Sequence, residues 1–231
     1  MKKITIIGSG SVGSTIAYTA TVMGLASDIV MIDINEEKAL GEALDIRQGI
    51  PFCNPATVRA GSYQDAVDSD IVIITSGLPR KPGQTRLDLA QANVNIMKSI
   101  ATEIVKYAPK ATYVIVSNPV DILTYVFCKT TGIPEKRVIG SGTILDTSRL
   151  RARIAEYYSV NQKNVHAYIL GEHGDTSFVA WSTATIAGVP ITFGVFDCVG
   201  LGILLVLILI YLGNFAQDTK EYAAIDPVKP F

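Results

Sequence analysis

Short, fully apolar runs alternate with longer mixed stretches along most of the chain. Residues 3–8 (Lys-Ile-Thr-Ile-Ile-Gly) are a β-branched run of the kind that makes a buried strand. Asp28–Asp33, Asp70–Thr75 and Thr112–Ser117 repeat the pattern, and Thr57–Ala60 and Val138–Gly140 predict two shorter strands. Runs apolar at every position suit strands covered on both faces of a parallel sheet. Helices are predicted between them at Ser14–Gly24, Asn35–Gln48, Leu87–Tyr107 and Pro119–Thr131, and another opens near Asp146 and runs to about Tyr158. Strand and helix in alternation predict an α/β fold, a doubly wound parallel sheet whose ligand lies beyond the carboxyl ends of the strands.

The first strand runs directly into Gly8-Ser9-Gly10-Ser11-Val12-Gly13, a helix follows, and the second strand ends in Asp33, 20 residues beyond Gly13. In that context GxGxxG is a dinucleotide-binding (Rossmann) element. Gly8 permits the tight turn, Gly10 lets the backbone approach a pyrophosphate, and Gly13 allows close helix–strand packing. The helix N-terminus supplies amide donors and the positive end of a dipole. Asp33 can accept from both ribose hydroxyls and would repel a 2′-phosphate, which favours NAD over NADP.

Composition narrows the function classes. With 231 residues, 48% hydrophobic and 18% charged, the chain reads as a globular protein of one large or two small domains. A net charge of −1 and dispersed basic residues leave no footprint for nucleic acid. The three cysteines, Cys53, Cys128 and Cys198, are far apart and without CxxC or Cys/His spacing. That argues against a disulfide frame or zinc site and for a reducing compartment. MKKITIIGSG enters the glycine motif with no long apolar leader core, so the expected location is the cytoplasm.

Three stretches carry candidate chemistry. One of only two histidines, His173, sits in Gly171-Glu172-His173-Gly174-Asp175 after the apolar run ending at Ile169-Leu170. An imidazole exchanges protons near neutral pH, and glycines on either side let a ligand approach closely. Its plain alternative is a histidine capping the turn after a strand. Gly77–Arg86 packs two prolines, two glycines and three cations into ten residues, either a loop over an anionic ligand or a solvated basic loop. Arg149 falls three residues after Asp146 in the next helix. It is placed to clamp a planar carboxylate by two parallel hydrogen bonds, or else to pair at the surface with Glu156.

GSGSVG, the GLPRKPGQTRLDL loop, SNPVD (Ser117–Asp121), GSGTILDTSRLR and LGEHGD (Leu170–Asp175) occur in the order found in the lactate/malate dehydrogenase family. The chain resembles that family over about residues 3–191, most closely its bacterial lactate-specific members. The resemblance implies an NAD-dependent L-2-hydroxy-acid dehydrogenase interconverting pyruvate and L-lactate. His173 would donate the proton to the ketone oxygen, Asp146 would hold the other ring nitrogen, and Arg86 would polarise the carbonyl when the loop closes. Arg149 would bind the substrate carboxylate, Arg80 would face the substrate's variable end, and Asn118 would donate to the ketone oxygen near the nicotinamide. Gly8, Gly10, Val12, Gly13, Asp33, Lys38, Tyr63, Gly77, Ser99, Val116, Asn118 and Ser141 would line the cofactor. Arg151 and His166 match positions that hold fructose 1,6-bisphosphate in allosteric bacterial members, and the family's dimers and tetramers imply a homo-oligomer. In this family, glutamine directly before Lys-Pro-Gly goes with pyruvate and arginine with oxaloacetate, so Arg80 alone favours malate. Gly-Glu-His-Gly-Asp, Trp181-Ser182 and RLDLAQANVNI favour lactate.

The resemblance implies an NAD-binding domain over 1–141 and a substrate domain from 142 to 231 that is incomplete as an α+β unit. After Val189-Pro190-Ile191 the family pattern stops, and the stretch from Cys198 to Gly213 has no charged or amide side chain. Its sixteen residues are short for a membrane span and lack basic flanks, which argues against a membrane role. The expectation is a frame-shifted or misjoined end, which would leave an NAD-binding fragment without turnover. A membrane-associating tail and a divergent packed segment are the alternatives.

Overall fold

Alternation within each strand builds two cores on opposite faces of one sheet. In a computed structural model of the chain, residues 2–78 and 86–191 are described, without the side chains of residues 86–88. The basic loop around Arg80, the Arg86 side chain and everything after Ile191 lie outside the described residues. Strands β1 (Lys3–Ile7), β2 (Asp28–Ile32), β3 (Thr57–Ala60), β4 (Ile71–Ile74), β5 (Thr112–Ile115) and β6 (Val138–Gly140) form one sheet in the order β3-β2-β1-β4-β5-β6. Every pair in it is parallel. The strand order reverses between β1 and β4, so the carboxyl ends of those strands open a crevice.

Successive side chains point to opposite faces of a strand. Ile4, Ile6, Ile29, Met31 and Val58 therefore pack with Ala17, Ala20, Ala43 and Ile46, from helices α1 (Ser11–Val22) and α2 (Glu36–Gln48). Ile7, Val30, Ile32, Ile74 and Ile115 pack on the other face with residues of α3 (Arg86–Tyr107) and α4 (Val120–Thr131), among them Met97, Ile104, Leu123 and Phe127. The predicted bounds of β3 and β6 are met, and α3 and α4 begin within one residue of expectation.

Helix α1 departs from the prediction by starting at Ser11 rather than Ser14. Gly10 is extended (φ −73°, ψ −176°) and serves as the N-cap, so Gly13 already lies inside the first turn. The helix stops at Val22 because Gly24 turns left-handed at φ +63°.

The chain divides into two units. The first comprises Met1–Asp146 together with Leu170–Phe178, and the second Thr147–Ile169 together with the residues from Val179 onward. Helix α5 (Ile144–Tyr157) runs across the division, and the chain continues through β7 (Val165–His166), β8 (Ile169–Leu170), β9 (Phe178–Val179), β10 (Thr185–Ile186) and β11 (Val189–Pro190). In the second unit β11, β10 and β7 form a small antiparallel sheet. Its core joins Ile154 and Ala155 to Val165, Ala167 and Ala184. No helix among the described residues is long and apolar enough to cross a membrane.

Candidate active site

The glycine loop follows from what a side chain would strike. Gly8 ends β1 at φ +106°, where an L side chain is strained. A Cβ on Gly13 would lie 1.8 Å from the Gly8 carbonyl oxygen, so the loop and α1 touch at van der Waals limits. Gly10 is the opposite case, since a Cβ there meets nothing within 4 Å and no side chain caps the helix. The first-turn amides of a helix have no partner within it. A pyrophosphate therefore fits here both sterically and electrostatically. Val12, in that first turn, is half exposed.

Asp33 is fixed by two main-chain donors. Its Oδ2 accepts the Ser9 N–H at 2.6 Å and its Oδ1 the Asn35 N–H at 2.9 Å. The carboxylate thus ties the tip of β2 to the glycine loop, where it suits a ribose diol. Lys38 is one turn further on, an exposed residue of α2 whose N–H donates to the Asn35 side chain.

The remaining cofactor candidates gather along the carboxyl edge of the sheet, with one exception. The Val116 N–H donates to Ile74 O and the Ser141 N–H to Ile115 O, so each extends its strand by a residue. Gly77 follows β4, and a Cβ on it would reach Asn93 at 3.6 Å, an ordinary contact. Tyr63 packs half-buried against the α3 core; burial pushes its hydroxyl pKa up, and the nearby Glu103 charge adds to this. Ser99 lies on the exposed side of α3, six residues beyond Asn93 and so about 9 Å along the axis.

Asn93 has no role in the sequence reading, yet it organises this edge. Only 3% exposed, it accepts the Leu78 N–H at 2.8 Å through Oδ1 and donates from Nδ2 to Asn118 O at 2.9 Å. One buried amide thereby joins the end of β4 to the segment that carries Asn118. A polar residue on the apolar stripe of a helix was its only trace in the sequence.

His173 enters the first unit on the returning segment Leu170–Phe178. Gly171, at φ +97°, turns the chain, and the Gly174 N–H closes a tight loop on Glu172 O at 2.9 Å. The His173 ring lies 2.6 Å from Asp146, Nδ1 to Oδ2, with both side chains about a quarter exposed. A carboxylate can only accept, so Nδ1 carries the hydrogen and Nε2 is left to exchange a proton with a ligand. The His173 main chain is held as well, its N–H donating to Asp121 Oδ2 at 2.9 Å. The histidine is therefore no simple cap on a turn.

This geometry agrees with what the chain is similar to. Residues 2–140 match the family model of the lactate/malate dehydrogenase NAD-binding domain, and residues 143–200 match that of the family's alpha/beta C-terminal domain. The chain belongs to the lactate/malate dehydrogenase family. An L-lactate dehydrogenase of Acetivibrio thermocellus is 53% identical over 190 residues, which are 82% of this chain and 60% of the relative. One from Clostridium perfringens is 53% identical over 186 residues, 80% of this chain and 59% of the relative. The crystal structure of a minor L-lactate dehydrogenase from Enterococcus mundtii superposes with a TM-score of 0.83 at 45% identity, covering 85% of this chain and 63% of that one. A malate dehydrogenase from Picrophilus torridus superposes with a TM-score of 0.80 at 35% identity, covering 88% and 64%. The chain thus spans about 60% of the length of the curated relatives it matches. The match to the family's C-terminal model continues nine residues past Ile191, where the motif reading stopped.

The family's other candidate residues belong to the second unit. Arg149 is exposed on α5, one turn beyond Asp146. Glu156, the surface partner weighed as the alternative for Arg149, pairs with Arg153 at 2.9 Å. Arg151 donates to Gln162 O at 3.3 Å, and His166 is exposed on β7, opposite Thr185.

Proposed function

We propose that this chain is the NAD-binding and proton-donating part of an L-2-hydroxy-acid dehydrogenase that interconverts pyruvate and L-lactate. The observation that carries the reading is the 2.6 Å His173–Asp146 pair in a first-turn setting beside a dinucleotide crevice. NADH, when bound, supplies a hydride to the ketone carbon. His173 gives the Nε2 proton to the ketone oxygen as charge develops there, and Asp146 stabilises the imidazolium beforehand and fixes its tautomer. In the reverse direction neutral Nε2 takes the hydroxyl proton. Arg149 binds the substrate carboxylate, a task for a planar two-pronged donor. Asn118 and Arg86, the latter from the start of α3, polarise the ketone. Gly8, Gly10, Val12 and Gly13 hold the pyrophosphate and Asp33 the adenosine ribose. Lys38, Tyr63, Gly77, Ser99, Val116 and Ser141 complete the cofactor's contacts.

Two-unit organisation supports a dinucleotide domain over 1–141 and a partial substrate domain from 142. The same reading makes Arg151 and His166 part of a fructose 1,6-bisphosphate effector site, the chain a homo-oligomer, and its compartment the reducing cytoplasm.

The test is NADH oxidation with pyruvate and with oxaloacetate in parallel. H173N is expected to lower turnover by about a thousandfold or more while NADH binding survives. Normal turnover by H173N would remove the histidine from the mechanism. Malate dehydrogenase is the second reading, favoured by Arg80 alone, whereas the two relatives reported at 53% identity carry the lactate name. A higher kcat/KM for oxaloacetate than for pyruvate would select it.

A further inference from the structure

Asp121 takes no part in the reading so far. It stands in the first turn of α4, between the buried residues Val120 and Leu123, so the core fixes its backbone. From there its carboxylate reaches across 52 residues of sequence to the His173 N–H at 2.9 Å. His173 itself sits in a segment with little internal support, since strands β8 and β9 on either side are two residues each and Gly171 and Gly174 flank it. A side chain's direction follows from its own φ and ψ, and glycine neighbours leave those angles free to vary. Among the described residues, two bonds tie residue 173 to regular elements, from its ring to α5 and from its amide to α4. One bond leaves a rotation about the Asp146 contact; two points define the orientation.

We propose that Asp121 is a positioning residue for the proton donor, holding the His173 main chain so that Nδ1 meets Asp146 and Nε2 faces the substrate. The inference rests on the dehydrogenase reading above for its kinetic consequence but not for its structural one. The competing role is purely local, because a negative charge in the first turn of a helix stabilises that helix. D121E keeps that charge and moves the carboxylate by one methylene, D121A removes charge and acceptor, and D121N keeps an oxygen that can still accept the amide.

The experiment uses the full chain and two readouts. The protein has only two histidines, so ring resonances of His173 and His166 can be followed separately by NMR. In D121A and D121E the His173 resonances should shift while those of His166 stay, and D121N should restore the parent pattern. In NADH-driven pyruvate reduction, D121A and D121E should lose about 10- to 100-fold in kcat, with NADH affinity and pyruvate KM within about twofold. D121N should recover to within about threefold of the parent. If D121E leaves both the His173 spectrum and kcat unchanged, Asp121 serves the helix alone and the proposal fails. If the unsubstituted chain shows no turnover, the dehydrogenase reading fails, and the resonance comparison still decides the positioning role.

Discussion

Two glycines three residues apart, at the start of one helix, illustrate how differently one residue type can matter. At Gly13 a methyl group would sit inside the Gly8 carbonyl, and backbone cannot yield by that amount without parting α1 from β1. G13A is expected to destabilise the fold by about 3 kcal/mol or more, read as a lowered thermal midpoint. At Gly10 a methyl group meets only open space, so G10A should cost no more than a poorer N-cap, about 1 kcal/mol or less and a few degrees in the midpoint. It would still occupy the volume assigned to pyrophosphate, so NADH affinity should fall by about tenfold or more. Unchanged NADH affinity in folded G10A would move the phosphates elsewhere. The sequence motif already gave packing to Gly13 and clearance to Gly10; the neighbours' positions put a size on the difference. The roles of Asn93 and Asp121 could not be read from the motifs that contain them, since each acts on a partner 15 to 52 residues away.

At the scale of elements, the strands and helices of the sheet were legible because each is apolar at its own period and bounded by turn residues. Where bounds moved, as at Ser11, a cap decided the matter rather than a hydrophobic pattern. Caps also give the chain an acid-sensitive joint. In the short turn Tyr63–Ala66, Asp65 accepts the Ser62 N–H at 2.8 Å and the Arg59 guanidinium at 2.7 Å. The Ser62 amide first, and Arg59 next, hold its carboxyl at about 2, below the ordinary 3.8. A depressed folded-state pKa stabilises the fold above the unfolded value and loses that contribution as pH falls towards the folded one. D65N should therefore be less stable than the parent at pH 7, by about 2 °C given how exposed the pair is. The gap should close between about pH 4 and pH 2, measured as denaturant midpoints. A gap independent of pH would mean that Asp65 contributes shape and not charge.

For the whole molecule, the family and the first domain were readable from five motifs in register, while in the second unit helix α5 was readable and the strands were not. Its strands are two residues long and carry no periodicity, so only tertiary pairing defines them. The dinucleotide half has its own sheet, cores and loop, and this predicts ligand-linked stability whether or not turnover occurs. Saturating NADH, at about 100 times its Kd, should stabilise the protein by about 2.7 kcal/mol and raise the thermal midpoint by several degrees. NADPH should do markedly less on the proposal that Asp33 takes the adenosine ribose. Equal shifts from the two would remove Asp33 from cofactor choice.

The anchors of His173 also impose an order in time. Asp121 and Asp146 precede it by 52 and 27 residues, and the last strand of the large sheet ends at Gly140. A chain made from its N-terminus has thus released both acceptors, and the whole sheet that carries them, before the histidine leaves the ribosome. His173, the proposed proton donor, is thus the last part of its own setting to be made, and substitutions in β1 to β6 are expected to be felt there as failures of the template rather than of the residue itself.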